Sequence, residues 1–147
     1  MDADNFTGTG FASFCSVQLN DRNFFSTGPR DGRGLGGRIA LRREHFELTG
    51  GYDEHMVDWG CDDYELSLRL EKQNLNNRPI YNKRFMHAIP HSDELRTEYS
   101  VFNDKWETHT INNQILEHNR ANDVINPNGE NFGRGRVQRN SDQWITV

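Results

Sequence analysis

The chain has 147 residues, of which 33% are hydrophobic, with a mean hydropathy of −0.92 and a formal charge of −5. That length suits one domain or part of a larger one, and the acidic balance, with a pI near 5.6, argues against a nucleic-acid partner. Nine Phe, four Tyr and three Trp can fill a core with few side chains, whereas no apolar run approaches the roughly 20 residues that span a bilayer, and Cys15 and Cys61 lack the spacing of a zinc site or disulfide framework.

The N-terminal Asp2-Ala3-Asp4 is polar and runs straight into an apolar stretch. Residues 11–19 (FASFCSVQL) are rich in aromatic and β-compatible side chains and predict a buried strand. Residues 20–37 predict a loop, because GPRDGRGLGG holds too many glycines for a helix or a central strand. A short strand is expected over 37–41 and a short helix over 42–48, stopped by Thr49-Gly50-Gly51. Residues 62–73 predict a helix, with Leu66 and Leu70 one turn apart. A polar turn over 74–78 and a strand over 79–89 (PIYNKRFMHAI) follow, the strand leading to His87, Pro90 and His91. From 93 onward the pattern is helical around Trp106, Ile111, Ile115 and Leu116, and from 126 it predicts an irregular tail anchored by Trp144. With no leader pattern and two unpaired cysteines, a cytoplasmic location is expected.

Two groups of residues carry chemistry. Asp2 and Asp4 stand two apart, so an extended segment would point both carboxylates at one cation, although a solvated turn is the plainer alternative. Oxygen ligands favour magnesium, manganese or calcium, and an imidazole from His87 or His91 would tilt the choice to manganese. The second group is the stretch 50–70, GGYDEHMVDWGCDDYELSLRL. Gly50 and Gly51 admit backbone angles closed to other residues, Trp59-Gly60-Cys61 predicts a compact bend, and Asp62 and Asp63 fall where a helix should begin. One carboxylate would suffice as a cap, worth ~1 kcal/mol, and the second suits a general base. Trp59 reads as a core aromatic or as a stacking platform for a sugar ring.

The tract 36–70, GGRIALRREHFELTGGYDEHMVDWGCDDYELSLRL, resembles the C-terminal half of the catalytic domain of inverting GT-A-fold glycosyltransferases. The likeness is to β-1,4-galactosyltransferases and the chondroitin-synthase type, where a Gly-Gly-Phe/Tyr-Asp-Glu segment precedes Trp-Gly-Gly-Glu-Asp and a helix. Asp2-Ala3-Asp4 resembles the DxD motif of that family, and the likeness extends over residues 1–92. It implies an α/β chain with a partial GT-A (nucleotide-diphospho-sugar transferase) fold, a mixed sheet with flanking helices over 1–120 and an irregular tail over 121–147. It also implies a nucleotide-binding βαβ half that precedes the DxD segment, supplied by a missing N-terminal part or by a partner chain.

Carried over residue by residue, the resemblance implies that Asp2 and Asp4 bind a metal, Mn2+ or Mg2+, on the diphosphate of a nucleotide-sugar donor such as a UDP-sugar. His87 or His91 would join that metal site. Asp63 would be the catalytic base, Asp62, Gly60 and Trp59 would bind the saccharide acceptor, and Trp59 would also reach the donor. Residues 92–103 would close over the donor. The implied activity is metal-dependent, inverting transfer of a sugar to an acceptor hydroxyl, and the alternative is a non-catalytic carbohydrate-binding or assembly module with a degenerate fold. Two positions depart from the pattern: Cys61 stands for a glycine, and Asp62 for a glutamate one methylene longer.

Overall fold

Two consecutive phenylalanines, Phe24 and Phe25, organise the chain. In the computed structural model, which describes residues 5–27, 37–85, 87–89, 92, 100–102, 104–134, 136–139 and 143–146, they lie on strand β2 (Asn23–Ser26). This strand falls inside the stretch expected to be a loop, and it is the centre of a three-stranded sheet. Strand β3 (Ile39–Ala40) pairs antiparallel on one side, and β4 (Asn76–Pro79) pairs parallel on the other. Neighbouring strand residues face opposite sides of a sheet. Phe24 accordingly packs with Leu66, Leu70 and Leu75, while Phe25 packs with Ile80 and Phe85. A strand covered on both faces shows no alternation of polar and apolar residues, and next to a glycine-rich segment its four residues are easily overlooked.

Strand β1 (Asn5–Phe6) is followed by helix α1 (Phe11–Gln18), where a strand was expected. Phe11, Phe14 and Leu19 recur at helical spacing and pack together against Phe25, Ile80 and Phe85, so the helical period prevails over β propensity. Asn23 fixes the turn into β2: its side chain accepts from the Asn20 N–H at 3.1 Å and donates to the Gln18 carbonyl at 3.0 Å. Helix α2 (Arg43–Leu48) and helix α3 (Asp62–Lys72) form where the pattern placed them.

The polar residues of β4 were expected to make a turn. They form instead an edge strand in register with β2, from Asn23 opposite Asn76 to Ser26 opposite Pro79, and the Ser26 hydroxyl donates to Asn77 Oδ1 at 2.8 Å. Of the strand expected over 79–89, Pro79 ends β4, residues Lys83–Phe85 make a short 3-10 turn, and β5 (His87–Ala88) is extended, paired antiparallel with β1. Helix α4 (Lys105–Ala121) confirms the helical reading of the last third, capped by Asp104, whose carboxylate accepts from the Trp106 N–H at 2.8 Å. Beyond a 3-10 turn at Gly129–Asn131, β6 (Arg136–Arg139) and β7 (Gln143–Thr146) pair as an antiparallel hairpin inside the stretch expected to be irregular, with Trp144 on β7. The expected mixed sheet with helices on its faces is thus present, and no helix among the described residues is long and apolar enough to cross a membrane.

Candidate active site

The site is built on the glycine pair that ends α2. Gly50 and Gly51 have φ of 68° and 70°, and the Gly51 N–H closes the helix on the Phe46 carbonyl at 2.9 Å. Both are also tightly covered. A Cβ on Gly50 would stand 2.1 Å from Asn126 Oδ1, and one on Gly51 would stand 2.1 Å from the Phe132 ring. Asn128 clasps the same turn, donating to the carbonyls of Gly50 at 2.7 Å and Tyr52 at 2.6 Å and accepting from the Glu54 N–H at 2.9 Å. The turn therefore holds Tyr52 in place, and the Tyr52 hydroxyl donates to Asp63 Oδ1 at 3.0 Å.

Beneath the turn lies a buried ionic network. Glu65 and Arg69, one turn apart on α3 and each 2% exposed, pair at 2.7 Å, and Nε of Arg69 adds contacts to the same carboxylate at 2.8 and 2.9 Å. The guanidinium also donates to the carbonyls of Thr49, Gly51 and Ile125, so the end of α2, the glycine turn and the segment after α4 converge on one side chain. Asn119 of α4 bridges Glu65 at 3.0 Å and Asp53 at 2.7 Å. Burial pushes the Asp53 carboxyl up, but the His55 N–H, the Asn119 amide and the His55 imidazole together outweigh it and hold the group below its ordinary value.

The Trp-Gly bend is tied to α4. Asn112 accepts from the Val57 N–H and donates to the carbonyls of Val57 and Gly60, all at 2.8 Å, and the Thr108 hydroxyl donates to the Trp59 carbonyl at 2.9 Å. Gly60 has φ 108°, and a Cβ there would sit 3.2 Å from the His109 ring. Asp58 Oδ2 accepts from the Phe102 N–H at 3.1 Å, which joins the bend to the segment before α4. The signal for these tethers was present in the sequence as Thr108, Asn112, Leu116 and Asn119, the buried stripe of α4. Two of its members are asparagines, and a polar stripe is not read as a packing face.

Asp62 and Asp63 occupy the first two positions of α3, and neither is its cap. Cys61 holds that place with φ 69° and no capping side-chain bond, and the helix begins with the Glu65 N–H on the Cys61 carbonyl at 2.8 Å. The two carboxylates meet the positive end of the helix, which favours anions there. Asp63 is oriented by Tyr52, a residue the sequence reading left without a role, whereas the partly buried Asp62 carboxylate makes no hydrogen bond or ion pair among the described residues. Trp59, Gly60, Asp62 and Asp63 thus come together as one bend and helix start.

Of the expected metal ligands, Asp2, Asp4 and His91 lie outside the described residues. His87 lies within them on β5, and its pairing sets Phe6 opposite His87 and Asn5, which follows Asp4, opposite Ala88. The His87 Nε2 donates to the Arg84 carbonyl at 3.1 Å, which orients the ring. No three His, Cys, Asp or Glu side chains converge among the described residues.

Residues 27–96, just under half of the chain, match a family described as the N-terminal domain of galactosyltransferase. Polypeptide N-acetylgalactosaminyltransferase 8 of Drosophila melanogaster is 49% identical over 35 residues, which make up 24% of this chain and 6% of that protein. No solved structure is similar enough to count as a match. The matched stretch contains the glycine turn, the Trp-Gly bend, Asp62 and Asp63, and the two similarities together support a glycosyltransferase.

Proposed function

We propose that the chain acts in metal-dependent, inverting transfer of a sugar from a nucleotide-diphosphate donor, a UDP-sugar, to a hydroxyl of a saccharide acceptor, as part of a GT-A catalytic domain of the β-1,4-galactosyltransferase or chondroitin-synthase type. The observation that carries the reading is the Tyr52 hydroxyl on Asp63 Oδ1, which aims a carboxylate at the start of a helix beside a braced tryptophan bend. A carboxylate so oriented is suited to take the proton of an acceptor hydroxyl as its oxygen bonds to the anomeric carbon and the bond to the nucleoside diphosphate breaks on the opposite face. Asp62, Gly60 and Trp59 bind the acceptor, Asp62 by accepting from its other hydroxyls.

Asp2, Asp4 and His87 or His91 would hold Mn2+ or Mg2+. When bound, such a metal neutralises charge on the leaving diphosphate. With that charge met, a second protein acid is not required, unlike glycoside hydrolysis, where a carboxylic acid protonates the leaving oxygen.

Sugar transfer from UDP-sugars in the presence of manganese tests the reading. Asp63→Asn is expected to lower turnover by about 10²–10⁴-fold while the manganese-induced rise in melting temperature persists. Undiminished turnover in Asp63→Asn removes Asp63 as the base. Saccharide binding without any metal-dependent nucleotide binding would favour the non-catalytic module instead.

A further inference from the structure

The helical periodicity of α4 counts Trp106 among its apolar positions, yet the residue is 61% exposed. Its helix buries a different face, through Thr108, Asn112, Leu116 and Asn119. The indole is nonetheless well placed. It meets the Trp59 ring edge to face at 6.3 Å and 90°, and the His109 ring lies 5.9 Å from Trp106 and 6.0 Å from Trp59. The Lys105 ammonium stands over both indoles, 5.2 Å from the centre of Trp106 and 5.9 Å from that of Trp59.

The backbone beneath this group is held at both ends. Asp104 caps the first turn of α4, while Thr108 and Asn112 bind the bend that carries Trp59. The two indoles therefore form a braced corner in which Trp106 is exposed and Trp59 half-buried, and Trp59 lies three residues before Asp62 and four before Asp63 in the chain. A large aromatic face kept in water loses burial energy, and a preformed aromatic group beside a charge is a common form of ligand subsite.

We propose that Trp106 and Trp59 form a stacking subsite for a hexose ring of a neutral oligosaccharide acceptor, next to the sugar whose hydroxyl is glycosylated. This rests on the transferase reading above for its place in the reaction, though not for the binding itself. A pyranose is apolar on its C–H face and hydroxylated around its rim. The exposed indole takes the first, and the Lys105 ammonium, which stands over both rings, is a donor to the second. Flat apolar walls with a single cation suit a neutral hydroxylated ring better than a peptide, whose polar groups lie along an extended backbone.

The test is binding of the chain to an array of neutral and acidic oligosaccharides and of Ser/Thr peptides, followed by calorimetric titration with the best neutral oligosaccharide. The wild-type chain should bind it, Trp106→Ala should weaken binding by about tenfold or more, and Trp106→Phe should keep most of it. Because Trp106 is exposed, unchanged melting curves are expected for both variants. If Trp106→Ala does not fold, Trp106→Phe is compared with Trp106→Leu, which keeps apolar area but no flat face, and equal affinities of these two overturn the proposal. It is also overturned by equal affinity of wild type and Trp106→Ala, by an array on which no glycan binds, or by capture of peptides alone. Glycan binding that needs Trp106, without sugar transfer, removes the transferase reading and leaves the subsite. Transfer whose KM for the acceptor is unchanged in Trp106→Ala removes the subsite and leaves the transferase.

Discussion

Cys61 enters α3 with φ 69°, in the left-handed region that costs a residue bearing a Cβ roughly 1–2 kcal/mol and costs glycine little. The resembling family has glycine at this position, and the backbone here still has the shape of one. Cys61→Gly is expected to stabilise the chain, by up to about 1 kcal/mol once the greater freedom of glycine in the unfolded chain is deducted, and Cys61→Val to destabilise it, since a β-branched side chain tolerates this conformation least. Thermal unfolding of the three proteins, at equal pH and salt, checks both signs. The thiol itself is an unpromising nucleophile, because burial pushes its pKa up and the Asp62 carboxylate adds in the same direction. The departure at 61 is thus a matter of backbone strain, and the proposed site chemistry sits on its neighbours, Asp62 and Asp63.

Helix α4 contributes no carboxylate to the site and nevertheless positions it. Asn112 meets both the N–H and the carbonyl of Val57 and the carbonyl of Gly60, so Asn112→Ala leaves buried backbone groups without partners and frees the Trp59 bend. A loss of about 2 kcal/mol in urea unfolding is expected, together with a shift of tryptophan emission toward the red as the indole corner loosens. A destabilisation below about 0.5 kcal/mol would show that the bend holds itself. Among the elements, the long periodic ones were legible. Leu66 and Leu70 marked α3, and Ile111, Ile115 and Leu116 marked α4. Short strands were not: Asn23–Ser26 has four residues, Asn76–Pro79 carries polar side chains, and both are fixed by pairing across the sheet. The segment 11–18 shows the converse error, since its aromatics favour a strand by type and a helix by spacing.

Across the molecule, α2, the glycine turn, α3 and the segment after α4 meet at Arg69, Glu65, Asn119 and Asp53, a polar centre beside the apolar one formed by Phe24, Leu66, Leu70 and Leu75. Removing one partner from such a centre is costly because the others stay buried. Its pH dependence has a definite sign. The folded chain holds Asp53 below its ordinary value of 3.8, so the stability it contributes is present above that value and is lost as pH falls through the lower folded pKa. Asp53→Asn should therefore cost roughly 1–3 kcal/mol at pH 7, and the gap to wild type should close as the pH is lowered below 3.8, as followed by urea unfolding across the pH range. A gap constant down to the most acidic sample would place the effect in packing rather than charge. The glycine turn, the Trp-Gly bend, the start of α3 and their glycosyltransferase likeness are legible in the chain alone, because backbone angles and helical period are local properties carried by residues close together. That Tyr52 orients Asp63, that Asn112 and Asn128 brace the two turns, and that Trp106 stands beside Trp59 emerge once the chain is folded. Those contacts join residues 11 to 78 positions apart, and their hydrogen-bond and ring geometry exists only after the chain has closed.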